Sequence, residues 1–155
     1  MRTNNRRQIS VKKMRIIPDI ISWPAGSTYG LIIECGIHAH PANNHFRTKY
    51  ECPYLTFRKT GGFMEHIYSV QKTLICEPAR LAEHKAELTK DEYERLNKYV
   101  NLRNRNGFGF SDSGPYRFYF LQPAFEITEP FCRPGCQSHL YYNLEDIPAA
   151  AVSKG

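Results

Sequence analysis

Residues 53–74, PYLTFRKTGGFMEHIYSVQKTL, cover two β-prone runs, 54–59 and one that begins at 63 and continues to Ile75, joined by Thr60-Gly61-Gly62. Aromatic and β-branched side chains suit a pleated, half-buried surface, and glycine at the turn supplies the positive φ that a tight hairpin requires. Downstream of this hairpin the period changes from Pro78 onward. Thr89-Lys90-Asp91-Glu92 has the spacing of a capping box, in which the Thr hydroxyl and the Glu carboxylate satisfy N–H groups at a helix start. Tyr93, Leu96, Tyr99 and Val100 then form an apolar stripe. Asp91, Glu92 and Glu94 lie early and Lys98, Arg103 and Arg105 late, the order that complements a helix dipole. A Gly-rich loop at 107–115 leads to YRFYFLQPAFEI at 116–127, where strand character resumes. A turn is expected at 130–135, a short strand at 140–142 and a frayed tail beyond Pro148.

Upstream, Tyr29, Leu31, Ile33, Cys35 and Ile37 alternate with Gly30, Ile32, Glu34, Gly36 and His38, a pattern that predicts a strand with one apolar face, stopped by Pro41. Residues 41–52 are polar and loop-like. Residues 14–22 are β-prone but interrupted by Pro18, which suits an edge strand, and 23–28 (WPAGST) reads as a turn-rich element carrying Trp23. About six strands with one or two helices predict an α+β fold, a small and partly closed β-barrel. The 155 residues suit one domain, divided into a disordered basic arm at 1–15, a β-rich domain at 16–147 and a frayed tail at 148–155.

The strand order, and above all 53–74 followed after a helical insertion by 116–127, resembles the PUA-like superfamily with its ASCH, EVE and YTH branches, over residues 23–147. The resemblance implies a pseudobarrel that holds RNA, or a modified or flipped base, in a pocket of aromatic and polar side chains.

Charge is unevenly placed. Of the 21 basic and 15 acidic residues behind the net charge of +6, six basic and no acidic ones fall in the first fifteen positions, so the rest of the chain is balanced. The arm is suited to phosphate or to an acidic protein partner, whereas the body carries no bulk electrostatic bias. No apolar run approaches the roughly 20 residues that cross a bilayer, and no secretory segment opens the sequence. No membrane partner and a cytoplasmic location are therefore expected. The five cysteines, Cys35, Cys52, Cys76, Cys132 and Cys136, are an odd number, which argues for free thiols.

Single-stranded bases stack on flat side chains while Arg and Lys meet phosphates. Trp23, Arg58, Lys59, Arg103, Arg105, Tyr116 and Arg117 are the candidates for that role, and RNA or single-stranded or modified DNA the expected partner. Two metal sets are weighed against it. Glu34, His38 and His40 would share one face of a regular strand, the set of a metal-dependent hydrolase or nuclease. Cys132, Cys136 and His139 have the spacing of half a zinc site. No nucleotide-binding P-loop, Gly-x-Ser-x-Gly elbow or His-Glu-x2-His motif is present, and no catalytic residue is assigned. The expectation is a non-enzymatic nucleic-acid-binding module without a cofactor, zinc being the alternative. A metal-dependent enzyme and a protein-interaction subunit are the other readings.

Overall fold

The computed structural model describes residues 17–43, 48–110 and 113–153. The basic arm at 1–15 lies outside the described residues. In chain order the elements are β1 (Ile20–Pro24), α1 (Tyr29–Cys35), β2 (Ile37–Pro41), β3 (Tyr54–Arg58), β4 (Phe63–Cys76), a 3-10 helical stretch (Pro78–Glu87), α2 (Lys90–Arg105), β5 (Tyr116–Cys132), β6 (Leu140–Tyr142) and β7 (Ala149–Ala151). The fold is α+β, built on one seven-stranded sheet in the order β2-β5-β4-β3-β1-β6, with β7 alongside β5.

The hairpin of 53–74 forms as its glycines require: β3 and β4 pair antiparallel, and Gly61 and Gly62 hold φ of 92° and 88° in the turn. The long strands β4 and β5 make the backbone of the sheet. Their register slips between Met64 and His66, Ile67 and Tyr68, and Val70 and Lys72. Such bulges bend and twist a ladder, and here the sheet curls. In a flat sheet β1 and β2, four places apart, would lie about 19 Å from each other at the usual strand spacing. Instead Trp23 of β1 stacks on His40 of β2 with ring centroids 4.7 Å apart. The two sheet edges, β2 and β6, approach without pairing, so the barrel is not closed.

Residues 29–37 depart from the alternating strand expected of them. Tyr29–Cys35 is a helix that buries Leu31, Ile32 and Cys35 and leaves Ile33 41% exposed, although a strand would have buried Ile33 with Leu31 and Cys35. Leu31, Ile32 and Cys35 also satisfy helical spacing, and a short apolar run fits either period. Gly36 decides between them: with φ 64° it ends the helix in the left-handed region, its N–H donating to Ile32 O at 2.8 Å. A Cβ at Gly36 would collide with the guanidinium of Arg95, which donates to Cys35 O, Gly36 O and Leu121 O at 3.1, 2.8 and 2.9 Å. A cation thereby closes the carbonyl end of α1.

Two further expectations are corrected. Residues 20–24 form no edge strand: β1 lies inside the sheet, parallel to β3 and antiparallel to β6, with Trp23 in the strand and Pro18 before it. The tail does not fray at 148, because β7 pairs Ala149–Ala151 with Ile127, Glu126 and Phe125. Helix α2 starts as its sequence requires, the Thr89 Oγ1 accepting from Glu92 N at 3.1 Å and the Glu92 carboxylate accepting from Thr89 N at 2.8 Å. Its buried residues Leu96, Tyr99 and Val100 pack on Ile37, Ala39, Phe118 and Phe120. On the opposite face of the sheet Ile21, Trp23, Leu55, Phe57, Tyr119 and Leu121 form a second cluster together with Ile32. No helix among the described residues is long and apolar enough to cross a membrane.

Candidate functional site

Alternation along β2 sorts its side chains. Ile37 and Ala39 face α2, while His38 and His40 face the other way and meet Trp23. His139, just before β6, joins them from the opposite sheet edge, its ring centroid 5.0 Å from that of Trp23. Three imidazoles thus surround the single tryptophan of the chain at the seam of the open barrel. His40 is fixed by two hydrogen bonds. Its Nδ1 donates to Pro41 O at 2.9 Å, and its Nε2 accepts from the Tyr119 hydroxyl at 2.8 Å.

A cleft of about 670 Å³ opens along this seam. Trp23, His38, His40 and His139 line it together with Tyr99, Arg103 and Tyr116. Burial holds the protonation of His38 well below the usual histidine range, helped by His40 and Arg103. His40 and His139 are lowered by burial as well. These shifts favour the neutral rings at pH 7, and among the described residues no carboxylate lines the cleft. Trp23 is 5% and His38 8% exposed, yet Trp23 Nε1 and His38 Nε2 have no hydrogen-bond partner among the described residues. An unsatisfied buried polar atom costs about 1–3 kcal/mol.

Arg103 and Tyr116, both expected to meet nucleic acid, lie together in the cleft lining. Tyr116 is a buried wall and not an open stacking face, at 1% exposure. The Arg103 guanidinium sits 4.4 Å from the Phe110 ring centroid and donates to Phe108 O at 2.9 Å and to the Tyr99 hydroxyl at 3.2 Å. Arg58 is buried beneath the neighbouring wall, donating to Ser22 O at 3.0 Å, to Ser22 Oγ at 2.6 Å and to Ser138 O. It lines a second hollow of about 420 Å³ together with Lys59, which is paired with Glu65 at 2.9 Å. The two cavities share Pro24, Ala25 and Gln137. Arg105 is exposed on the last turn of α2 and lines neither cavity. Arg117 stands 3.7 Å from Glu51 and lines a separate, smaller cavity.

Neither metal set assembles. Glu34 is on α1, where it pairs with Lys98 at 3.1 Å, away from the face that carries His38 and His40. The regular strand that would have aligned the three is interrupted by Gly36. The Cys132 thiol donates to Gly61 O, the Cys136 thiol lies beside Ser138, and His139 packs on Trp23. Among the described residues no three His, Cys, Asp or Glu side chains are placed to hold a metal ion. Sequence reasoning marked His38, His40 and His139 as metal ligands and so missed them as rings around Trp23. Gln137 and Arg133 were missed outright, although the Arg133-Pro134-Gly135 turn signalled a loop at that place.

No family model matches the chain, and no curated protein matches it. Solved structures do. A crystal structure of ASCH from Zymomonas mobilis is 11% identical, with 83% of this chain and 90% of that chain covered and a TM-score of 0.47. A single-substitution variant of the same protein is 12% identical, covering 84% of this chain and 94% of that chain, with a TM-score of 0.48.

Proposed function

We propose that the chain is a non-enzymatic nucleic-acid-binding module that holds a base of RNA, or of single-stranded or modified DNA, in the cleft between Trp23 and Arg103. One observation carries the reading. Every buried side-chain nitrogen without a partner among the described residues, Trp23 Nε1, His38 Nε2 and Arg58 Nε, belongs to a residue lining this cleft or the hollow beside it. A heterocycle in the cleft brings donors and acceptors to the rim of this incompletely bonded region, where flat aromatic and imidazole side chains offer the kind of surface that bases pack on. Neutral imidazoles, and a lining without carboxylates among the described residues, suit a neutral, flat ligand. The basic arm then adds sequence-independent, salt-sensitive affinity, with a slope of about 0.7 per phosphate for single strands.

Trp23 is its own reporter. Titration of the intact protein with nucleosides and short oligomers should give saturable quenching of tryptophan emission, weakened in His139→Ala. Removing residues 2–13 should lower the salt slope for oligomers and leave nucleoside affinity unchanged. No saturable quenching by any nucleoside or oligomer at low salt would sink the reading.

A further inference from the structure

Beside the cleft, the second hollow is built differently. Its walls are Pro24 to Ser27, the β3–β4 turn from Arg58 to Gly62, and the loop after β5 with Arg133, Gly135, Cys136 and Gln137. Among the described residues three cations line it and no Asp or Glu does. Gly26, Gly61, Gly62 and Gly135 in its walls all hold positive φ, so the backbone there carries no Cβ and a bulky group can come close to it. The walls are tied together. Arg133 N donates to Gly62 O at 2.9 Å, the Cys132 thiol donates to Gly61 O at 3.1 Å, and a Cβ at Gly62 would strike the Arg133–Pro134 backbone.

The second observation is Arg58. At 2% exposure it is a buried guanidinium whose hydrogen bonds all go to uncharged oxygens of Ser22 and Ser138, with its Nε unpartnered. Among the described residues no carboxylate lies within ion-pairing distance of it. Burying a charge without a counter-charge is costly, and an anion beside it recovers part of that cost. The thiol of Cys136 responds to the same field. Its hydrogen bonds with Ser138, followed by the charges of Arg58 and Arg133, lower its pKa.

We propose that this hollow is a phosphate subsite, taking through Arg58, Lys59 and Arg133 the backbone phosphate of the strand whose base enters the adjoining cleft. The inference rests on the base-binding reading for the source of the phosphate, and on the hollow alone for the anion. The shared wall of Pro24, Ala25 and Gln137 lets one nucleotide reach both. Arg133 suits the task because its planar fork matches two phosphate oxygens, while Arg58, whose Nη1 and Nη2 already donate to Ser22 and Ser138, contributes its buried charge.

The test compares a nucleoside, its 5′- and 3′-monophosphates and inorganic phosphate on the full chain. Tryptophan quenching reads the cleft, and the rate of iodoacetamide alkylation of Cys136, located by peptide mass mapping, reads the hollow. One monophosphate should bind at least about tenfold tighter than the nucleoside. Arg133→Ala, an exposed position, and Lys59→Ala should remove that gain and leave nucleoside affinity unchanged. Inorganic phosphate alone should slow Cys136 alkylation in the unaltered protein and not in Arg133→Ala. If the nucleoside and both monophosphates bind equally and phosphate gives no protection, the phosphate subsite is overturned while the base cleft stands. Protection by inorganic phosphate without quenching by any nucleoside supports the subsite and overturns the base cleft.

Discussion

Phe118 and Tyr119 are neighbours on β5 and face two differently finished regions. Phe118 points to α2, where Ile37, Leu96, Val100 and Phe120 close around it and the buried hydroxyl of Tyr99 accepts from Arg103. Tyr119 points to the seam, where His38 and His40 crowd Trp23 and buried nitrogens lack partners. Both regions are buried, but only the first is complete in its hydrogen bonds. Stability is drawn from the helix side, while the seam keeps unsatisfied groups that something else must satisfy. A folded protein tolerates a few kcal/mol of such incompleteness only where another part of the core offsets it.

The largest effect that would sharpen this division is on the helix side. Phe118→Ala removes a fully buried ring and should destabilise the protein by about 3–5 kcal/mol in urea denaturation. Nucleoside affinity per folded molecule should stay the same. A loss of affinity matching the loss of stability would show that the two regions are not separable.

Acid should act on the seam. Burial lowers the folded pKa of His38 and His40, so on acidification the unfolded chain takes up protons first. Stability is full above the unfolded value of about 6.5 and is lost as pH falls from there toward the folded pKa, by at most about 1.4 kcal/mol per pH unit for each histidine. His38, the more deeply shifted of the two, should carry the larger part of this loss, and His38→Gln should reduce the slope. Denaturation midpoints between pH 7.5 and 5.5 measure this. An unchanged slope in the variant would remove the neutral histidines from the contrast.

The smallest effect lies between the two. Tyr119→Phe deletes the hydroxyl that donates to His40 Nε2 and leaves a buried acceptor without a partner, at about 1–2 kcal/mol. It should also weaken nucleoside binding, since His40 stacks on Trp23. Lost stability with unaltered binding would assign Tyr119 to packing alone.

Much of this frame is legible in the residues themselves. The Gly61-Gly62 turn, the Thr89 and Glu92 cap and the Leu96, Tyr99 and Val100 stripe are local signals, and each forms as its spacing requires. Residues 29–37 misled because alternation and helical spacing coincide over so short a run, and only the left-handed Gly36 separates them. Trp23 read as part of a turn because Pro24 follows it. Its place inside the sheet depends on a parallel partner, β3, and on β6 near the other end of the chain, which no local pattern encodes. The candidate site was legible as residue types and not as a place. Aromatic and basic side chains at 23, 58, 103 and 116 stood out, but their union follows from the curl of β4 and β5.

The position of β1 also governs when the molecule becomes whole. Ile20 pairs on one side with Tyr54 and on the other with Tyr142, so the strand that carries Trp23 finds both neighbours only after nearly the whole chain exists. Pairings between distant segments close the largest loops and form slowly. On the ribosome the strand of the early-made tryptophan therefore keeps one edge unpaired until residues 140–142 have been made.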